Sequence, residues 1–386
     1  MRIHLDTILV SLFMMSVFAY IMFWGHSDLQ AHADVAIRMV REGRLFENNF
    51  LMYLMADILA CFSGALVPTR MAIVLLIAFS NAAKYVLVRN ELTEIIPLRY
   101  SKMASTALLF VFIVPVFYFL KIFGVFLNAN TMYLGYYVPN VWHNSTILCM
   151  MPFAIMTFFL SVRQFDKYDG RRNGLITLFV VLATLVKPSF FFIYVVAYPI
   201  CMFVKYRFNK EFFYSFIPIL AGCACVVYEY LSIYDGEDGS GVVISVMPLF
   251  TLAFWKSHIE YFAASIFFPI LFVLFYWKEI RHDYEFWFVL IMLVVALGIK
   301  WCCAETGERA HDGNFGWQVI AAMWFVFYYM LKIIFQSYSN YKDVKKIDKT
   351  NRFGRKKSIV FFGIYGAHVV MGLVYLIKFL VTNSYA

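Results

Sequence analysis

Long hydrophobic segments alternate with short polar segments along the whole of this chain. Eleven of the hydrophobic segments approach the length that a helix needs to cross a hydrocarbon core of ~30 Å. They lie near residues 6–24, 70–88, 103–123, 146–162, 174–187, 189–205, 212–233, 261–278, 286–302, 316–335 and 359–380. With 62% hydrophobic and 15% charged residues, the chain has more apolar surface than a soluble domain of 386 residues can bury. The sequence predicts an all-α bundle of about eleven transmembrane spans, forming one membrane domain over residues 1–386.

Lysine and arginine are distributed unequally between the connecting segments. If the amino terminus is cytoplasmic, the inner segments carry 21 of these residues and the outer segments carry five. This asymmetry follows the positive-inside rule and predicts a multi-pass protein of a plasma membrane or bacterial inner membrane. It also explains the net charge of +9 without a nucleic-acid partner. The basic segment 336–358 is expected to face anionic membrane lipids.

The first outer segment, residues 25–69, is expected to contain two helices on the membrane surface. Apolar residues recur at helical spacing from Ala31 to Arg44. Phe50–Leu66 is apolar enough to cross the membrane, but counting it as a span would reverse the side of the next segments and weaken the charge asymmetry. It is therefore predicted to be an interfacial helix. The span before this segment has no small-residue cleavage site, so we expect it to be retained.

Asp28 and Asp34 are the candidate general bases of this first outer segment. Asp28 comes directly after the first span, where partial loss of hydration suits a carboxylate that removes a proton from a hydroxyl. His32 follows by four residues and would share a helix face with Asp28, whereas Asp34 would point elsewhere. The spacing leaves open which aspartate is the base. It also leaves open that Asp28 only caps the helix beside Ser27.

His143 and Asn144 stand directly before the fourth predicted span. They follow an aromatic stretch, Tyr133 to Trp142, whose ring faces and hydrogen-bonding groups suit a sugar. An aromatic belt at the membrane interface is the alternative explanation of the tyrosines. The histidine and the amide are therefore candidate substrate ligands.

Lys187 interrupts a hydrophobic region and precedes Pro188. A lysine at membrane depth is unfavourable unless it faces a polar cavity or an anionic partner, so Lys187 is a candidate ligand of a lipid phosphate. The alternative is that its side chain extends to the interface.

The last outer loop carries three further candidates, Glu305, Arg309 and His311. An arginine there can bind a phosphate or a carboxylate through two parallel hydrogen bonds. A self-neutralising, salt-bridged turn is the alternative. The seven cysteines show no metal-ligand spacing, and no metal site is predicted. No nucleotide-binding motif is visible either.

Three short segments and the order of the predicted helices resemble the GT-C class of membrane glycosyltransferases. The segments are Asp28-Leu29-Gln30-Ala31-His32, Trp142-His143-Asn144 and Lys187-Pro188-Ser189-Phe190. As architecture, the likeness covers most of the chain. It extends to an acidic residue early in the first outer loop, two outer helices before the second span, and about eleven spans. The chain lacks the adjacent Asp-Glu pair of some members.

The resemblance implies a reaction and roles for the candidates. An acidic residue of the first outer loop is the catalytic base in that class, and the donor is a sugar on a polyprenyl phosphate or diphosphate. Asp28 would then be the base, with Lys187 and Arg309 near the phosphate. His32, Asp34, His143, Asn144, Glu305 and His311 would contact substrate. A mannosyltransferase-like enzyme is implied, with a lipid or cell-surface glycan as acceptor; the sugar, the acceptor and any need for a divalent metal stay open.

Two other classes of membrane protein fit parts of the same pattern. A polysaccharide polymerase or ligase would use similar lipid substrates, but the outer loops contain few arginines. A flippase or transporter of lipid-linked oligosaccharides would need a polar path through the bilayer. The charged residues within or at the ends of predicted spans form no obvious line; they are Lys84, Lys121, Glu229 and Lys300.

Overall fold

The computed structural model describes most of the chain. The described residues are 4–44, 50–124, 131–234, 245–246, 252–304, 314–342 and 349–384. These described residues are almost entirely helical. Their only strands are Ser245–Val246 and Cys303–Ala304, which have two residues each and pair with one another. The all-α prediction is therefore confirmed.

Fifteen α-helices follow one another in the described residues. In chain order they are α1 Leu5–Trp24, α2 Asp28–Glu42, α3 Phe50–Leu59, α4 Leu66–Thr93, α5 Leu98–Phe110, α6 Val116–Ile122, α7 Ser145–Asp166, α8 Gly170–Val186, α9 Ser189–Tyr206, α10 Lys210–Tyr214, α11 Phe216–Tyr234, α12 Leu252–Ile280, α13 Tyr284–Cys302, α14 Trp317–Lys342 and α15 Lys349–Thr382.

Nine helical segments within the described ranges are long and apolar enough to cross a membrane. They are Leu5–Trp24, Leu66–Thr93, Ser145–Asp166, Ser189–Tyr206, Lys210–Leu231, Ile259–Ile280, Tyr284–Cys302, Trp317–Ser339 and Gly354–Thr382. Each coincides with a predicted span. Large apolar side chains on several of them are exposed, as expected of helices that face lipid. The chain thus has the helices of a multi-pass membrane protein.

Two of the eleven predicted spans differ from the structure. The span predicted at 174–187 corresponds to α8, but α8 is not one of the nine long apolar segments. It has 17 residues and begins with the polar sequence Gly-Arg-Arg-Asn. The span predicted at 103–123 is wrong as a single helix, because extended backbone separates α5 from α6 between Val111 and Pro115. Proline removes a backbone donor and disfavours helix in the residue before it, which explains the position of the break.

The break between α5 and α6 is stabilised by polar side chains. The Asn140 amide donates hydrogen bonds to the carbonyls of Leu108 and Val111, at 3.1 and 2.8 Å. The His368 Nδ1–H donates to the Phe112 carbonyl at 2.9 Å, and the Phe112 amide donates to the His368 carbonyl at 3.1 Å. Non-helical backbone is tolerated at membrane depth only where protein groups or water satisfy it. The hydrogen bonds from Asn140 and His368 provide partners for the backbone groups at this break.

The two predicted helices between the first two long helices are present. Helix α2 covers most of the amphipathic stretch, and its buried face is Leu29, Ala33, Ala36, Ile37 and Met39. Helix α3 has ten residues and ends at Leu59, earlier than predicted. At ~1.5 Å per residue it extends only about 15 Å, which is too short to cross a bilayer. It ends there because Cys61 and Phe62 adopt left-handed backbone angles, which an α-helix cannot continue.

The described chain divides into two compact units. The first comprises Met1–Lys84, Val141–Leu249 and Leu290–Ala322, and the second comprises Tyr85–Asn140, Phe250–Val289 and Met323–Ala386. Within the first unit, α8 packs against α7 and α11, and α2 packs against α3 and α7. This packing brings the start of α2, the start of α7 and the end of α8 together.

Candidate active site

The start of α2 is held by a capping box that does not use Asp28. Ser27 is the N-cap: its hydroxyl accepts from the Leu29 amide at 3.3 Å, and its own amide donates to Gln30 Oε1 at 3.1 Å. Asp28 is the first residue of the helix. The alternative in which Asp28 serves only as the cap is therefore wrong.

Gln30 ties the start of α2 to the end of α1. Its Nε2 lies 2.8 Å from the Ile21 carbonyl oxygen, 3.0 Å from that of Met22 and 2.9 Å from that of Gly25. The last carbonyls of a helix have no partner within the helix, and this amide lies within hydrogen-bond distance of two of them, Ile21 and Met22; the Ile21 carbonyl also accepts from the Gly25 amide. The contact fixes the direction in which α2 leaves α1, and with it the position of Asp28.

A chain of hydrogen bonds joins Asp28 to Lys187. The Asn144 amide donates to Asp28 Oδ2 at 3.4 Å, the Thr146 hydroxyl donates to Asn144 Oδ1 at 2.8 Å, and the Lys187 ammonium donates to Thr146 Oγ1 at 3.1 Å. All three donors point the same way, from the cation toward the carboxylate. Aligned hydrogen bonds polarise one another where water is scarce, so the two charges are electrostatically linked.

The local sequence explains why Asn144 lies at the start of α7 and why Lys187 lies at the end of α8. Asn144 is the N-cap of α7, and its Oδ1 also accepts from the Ile147 amide at 3.1 Å. Lys187 ends α8 in an extended conformation, with φ −166° and ψ 122°, as a residue before proline prefers. Helix α7 and helix α8 pack side by side, so a helix start and a helix end meet.

Trp317 forms one wall of the cluster. The Lys187 ammonium lies 4.9 Å from the centre of the Trp317 ring, and the His143 ring centre lies 5.8 Å from it. A cation over an indole face is attracted to the negative π surface. The aromatic wall therefore helps to hold the Lys187 charge in place.

Both histidines of the cluster are held neutral. Burial, together with a smaller contribution from the nearby Lys187 charge, lowers the pKa of His32 to about 3. Burial also lowers the pKa of His143 to about 3, with smaller contributions from His32 and Lys187. Neither imidazole therefore carries a charge at neutral pH.

The other residues that were predicted to form the site are not part of this cluster in the described structure. Asp34 is exposed on α2, as expected from its position, and it takes no part in the cluster. Glu305, Arg309 and His311 lie outside the described residues. The aromatic residues predicted to stack on a sugar are packed into the protein: Tyr136, Tyr137 and Trp142 are 4%, 1% and 3% exposed.

Sequence reasoning missed Tyr53, Thr146 and Trp317. The Tyr53 hydroxyl lies 2.7 Å from His32 Nδ1. Thr146 follows Asn144 by two residues, and Trp317 follows the last polar loop directly. Their positions were visible in the sequence, but nothing local to them indicated which partners they would meet.

Asp57 is the most unusual carboxylate near this cluster. It lies on the buried face of α3, one turn after Tyr53, and is 1% exposed. Its Oδ2 has no hydrogen-bond partner among the described residues. Burial raises the pKa of Asp57 from 3.8 to about 6, because the charged form loses its hydration.

We expect Asp57→Asn to stabilise the protein in a pH-dependent way. Between pH 3.8 and about pH 6, the folded protein retains a proton that the unfolded chain releases, so this residue lowers stability as pH rises. In the asparagine variant, this residue no longer lowers the stability of the fold as pH rises. Its melting-temperature advantage should grow across this range and stay level above it. Thermal unfolding followed in detergent at several pH values measures the effect, with exposed Asp34→Asn as the control; a difference that is constant with pH would contradict the assignment.

No group of three or more His, Cys, Asp or Glu side chains suited to a metal ion occurs in the part of the chain that the structure describes. No known protein-family model matches the chain, and no curated protein sequence matches it. The sequence and the cluster around Asp28 and Lys187 are therefore the features from which a function can be inferred.

Proposed function

We propose that the protein is a membrane glycosyltransferase that moves a sugar from a polyprenyl-phosphate donor to a hydroxyl of a lipid or glycan acceptor. The observation that carries the proposal is the hydrogen-bonded chain from Lys187 through Thr146 and Asn144 to Asp28. It holds a cation and a carboxylate in one cluster at the start of α2. Transfer from a phosphate requires one group to receive a proton and another to stabilise an anionic leaving group.

Asp28 is the general base in this proposal. Its carboxylate takes the proton of the acceptor hydroxyl as the hydroxyl oxygen attacks the anomeric carbon of the sugar. The bond between that carbon and the phosphate oxygen breaks, and the phosphate leaves with the electron pair. Attack opposite the leaving group inverts the anomeric configuration. Asn144 orients the carboxylate by its hydrogen bond to Oδ2.

Lys187 stabilises the departing phosphate in this proposal. Its ammonium is anchored by the Thr146 hydroxyl and the Trp317 ring, so the charge is already in position before the bond breaks. A preorganised charge of this kind stabilises the transition state without a reorganisation step. His32 and His143 are neutral, so Lys187 is the cation that this hydrogen-bonded chain supplies.

The remaining candidates belong to the same proposal. His143 adjoins Asn144 and packs near Trp317, and this position supports a contact between His143 and the donor phosphate. Glu305, Arg309 and His311 precede Trp317 in the sequence, and we propose that they also contact substrate. The distribution of lysine and arginine supports an extracytoplasmic site and a cytoplasmic amino terminus.

The decisive experiment is a donor panel. The purified protein in lipid nanodiscs would be incubated with polyprenyl monophosphate and diphosphate sugars, with and without EDTA. Release of the free lipid phosphate and transfer of the sugar to added membrane glycolipids would be measured. We expect release from at least one donor. Movement of intact donor across a sealed bilayer without any bond cleavage would favour the flippase alternative and contradict the proposal.

A further inference from the structure

His32 uses only one of its two ring nitrogens within the protein. Nδ1 lies 2.7 Å from the Tyr53 hydroxyl. Nε2 makes no hydrogen bond to any residue in the described ranges, and it is not among their enclosed polar atoms without a partner. The side chain is half-buried on α2, one turn after Asp28. One nitrogen is thus hydrogen-bonded, and the other has no hydrogen-bond partner among the described residues.

The Tyr53 hydroxyl decides which nitrogen carries the proton. Tyr53 is 5% exposed, and His32 is the one hydrogen-bond partner of its hydroxyl within the described chain. A buried hydroxyl proton without an acceptor is costly, so the hydroxyl must donate to Nδ1. The Asp57 oxygen Oδ2 is not an alternative acceptor, since it has no hydrogen-bond partner there. Burial raises the pKa of Tyr53, so the phenol keeps its proton at neutral pH.

A neutral imidazole that accepts at Nδ1 carries its proton on Nε2. His32 is neutral because burial and the Lys187 charge both disfavour protonation. The result is a single tautomer whose Nε2–H has no hydrogen-bond acceptor among the described residues. That donor lies within the electrostatic influence of Lys187 and on the same helix face as Asp28.

We propose that Tyr53 is a positioning residue that fixes His32 as the Nε2–H tautomer, and that this N–H donates a hydrogen bond to an oxygen of the ligand bound between Asp28 and Lys187. The proposal rests on the proposed function and identifies a further contact in the same site. The oxygen belongs either to the phosphate of the donor or to a hydroxyl of the acceptor. Both are acceptors of the same hydrogen bond.

The first test reads the tautomer directly and needs no enzymatic activity. The eight histidines would be labelled with ¹⁵N in the intact protein in nanodiscs, and the His32 signals would be assigned by their loss in His32→Gln. We expect Nδ1 to be unprotonated and Nε2 to be protonated in the native protein, and a mixture of tautomers in Tyr53→Phe. Protonated Nδ1 in the native protein would overturn the proposal.

The second test reads the ligand contact in the same samples. Polyprenyl monophosphate, inorganic phosphate and an uncharged alkyl glycoside would be added separately. A shift of the His32 Nε2 signal with polyprenyl monophosphate or with inorganic phosphate assigns the oxygen to the phosphate. A shift with the glycoside alone assigns it to a hydroxyl. No shift with any of the three would overturn the contact, whether or not sugar transfer has been detected.

The third test uses matched substitutions. The amide nitrogen of Gln lies near the position of Nε2, and that of Asn lies near Nδ1. Loss of a buried hydrogen bond corresponds to roughly 10–100-fold in rate. We expect that loss of kcat/KM for His32→Asn, little loss for His32→Gln, and a negligible further effect of Tyr53→Phe in the His32→Gln background. Equal losses for the two His32 variants would contradict a specific Nε2 donor.

If the native protein transfers no sugar from any donor, the proposed function fails, while the two spectroscopic tests still decide the role of His32. If transfer is observed and the tautomer is the opposite one, the function stands and this inference fails.

Discussion

Asp28→Asn is expected to slow sugar transfer strongly while the protein remains folded and still binds the donor. Asparagine keeps the shape of the side chain but cannot accept the proton of the acceptor hydroxyl. General-base catalysis contributes about 10²–10⁴-fold, so we expect kcat to fall by ~1,000-fold with little change in the apparent affinity for donor. Single-turnover transfer from the active lipid donor measures the rate, and titration with polyprenyl monophosphate measures binding.

Asp34→Asn is the matched control for this prediction. It removes the same charge from the same helix, but Asp34 is exposed and does not belong to the cluster. We expect it to transfer sugar at close to the native rate. If Asp34→Asn is inactive and Asp28→Asn is active, Asp34 is the base and the assignment made here is wrong.

Lys187→Met is expected to weaken the stabilisation of the departing phosphate. Methionine keeps much of the aliphatic length but removes the charge that Thr146 and Trp317 hold in place. Loss of one preorganised group at a developing anion lowers kcat by about 10²–10³-fold. Because the phosphate also attracts this charge in the ground state, we expect weaker binding of polyprenyl monophosphate as well.

Lys187→Met has a second readout that does not depend on activity. The Lys187 charge contributes to the lowered pKa values of His32 and His143, so both should rise when it is removed. Titration of the ¹⁵N-histidine signals measures this change. The exposed Lys121→Met on α6 is the control, and we expect no effect on either histidine or on transfer. Unchanged histidine pKa values in Lys187→Met would contradict the electrostatic link.

The predicted helices followed from local properties of the chain. Nine predicted spans coincide with long apolar helices, because the length and the hydropathy of a span are properties of one continuous segment of sequence. The interrupted span at 103–123 was not predictable in the same way. Pro115 is a local signal for a break, but the break is stabilised by Asn140 and His368, which are remote in sequence.

Part of the candidate site could likewise be predicted from local sequence, and part of it could not. Asp28 and His32 share a helix face at a separation of four residues, and that relation was predicted from spacing alone. The spacing leaves the cap of α2 open between Ser27 and Asp28, because both are good capping residues, and the backbone geometry assigns it to Ser27. Glu305, Arg309 and His311 stay as predictions, since they lie outside the described residues.

Hydropathy and residue spacing are enough to predict an all-helical chain with the spans of a multi-pass membrane protein, and they single out Asp28 and Lys187 as charged residues beside apolar segments. The packing of the helices was needed to show that Asn144 and Thr146 connect these two residues and that Tyr53 forms a hydrogen bond with His32. Hydropathy and helical periodicity act over neighbouring residues. A hydrogen bond between residues such as Thr146 and Lys187 depends instead on how α7 packs against α8, and no single segment of sequence encodes that contact.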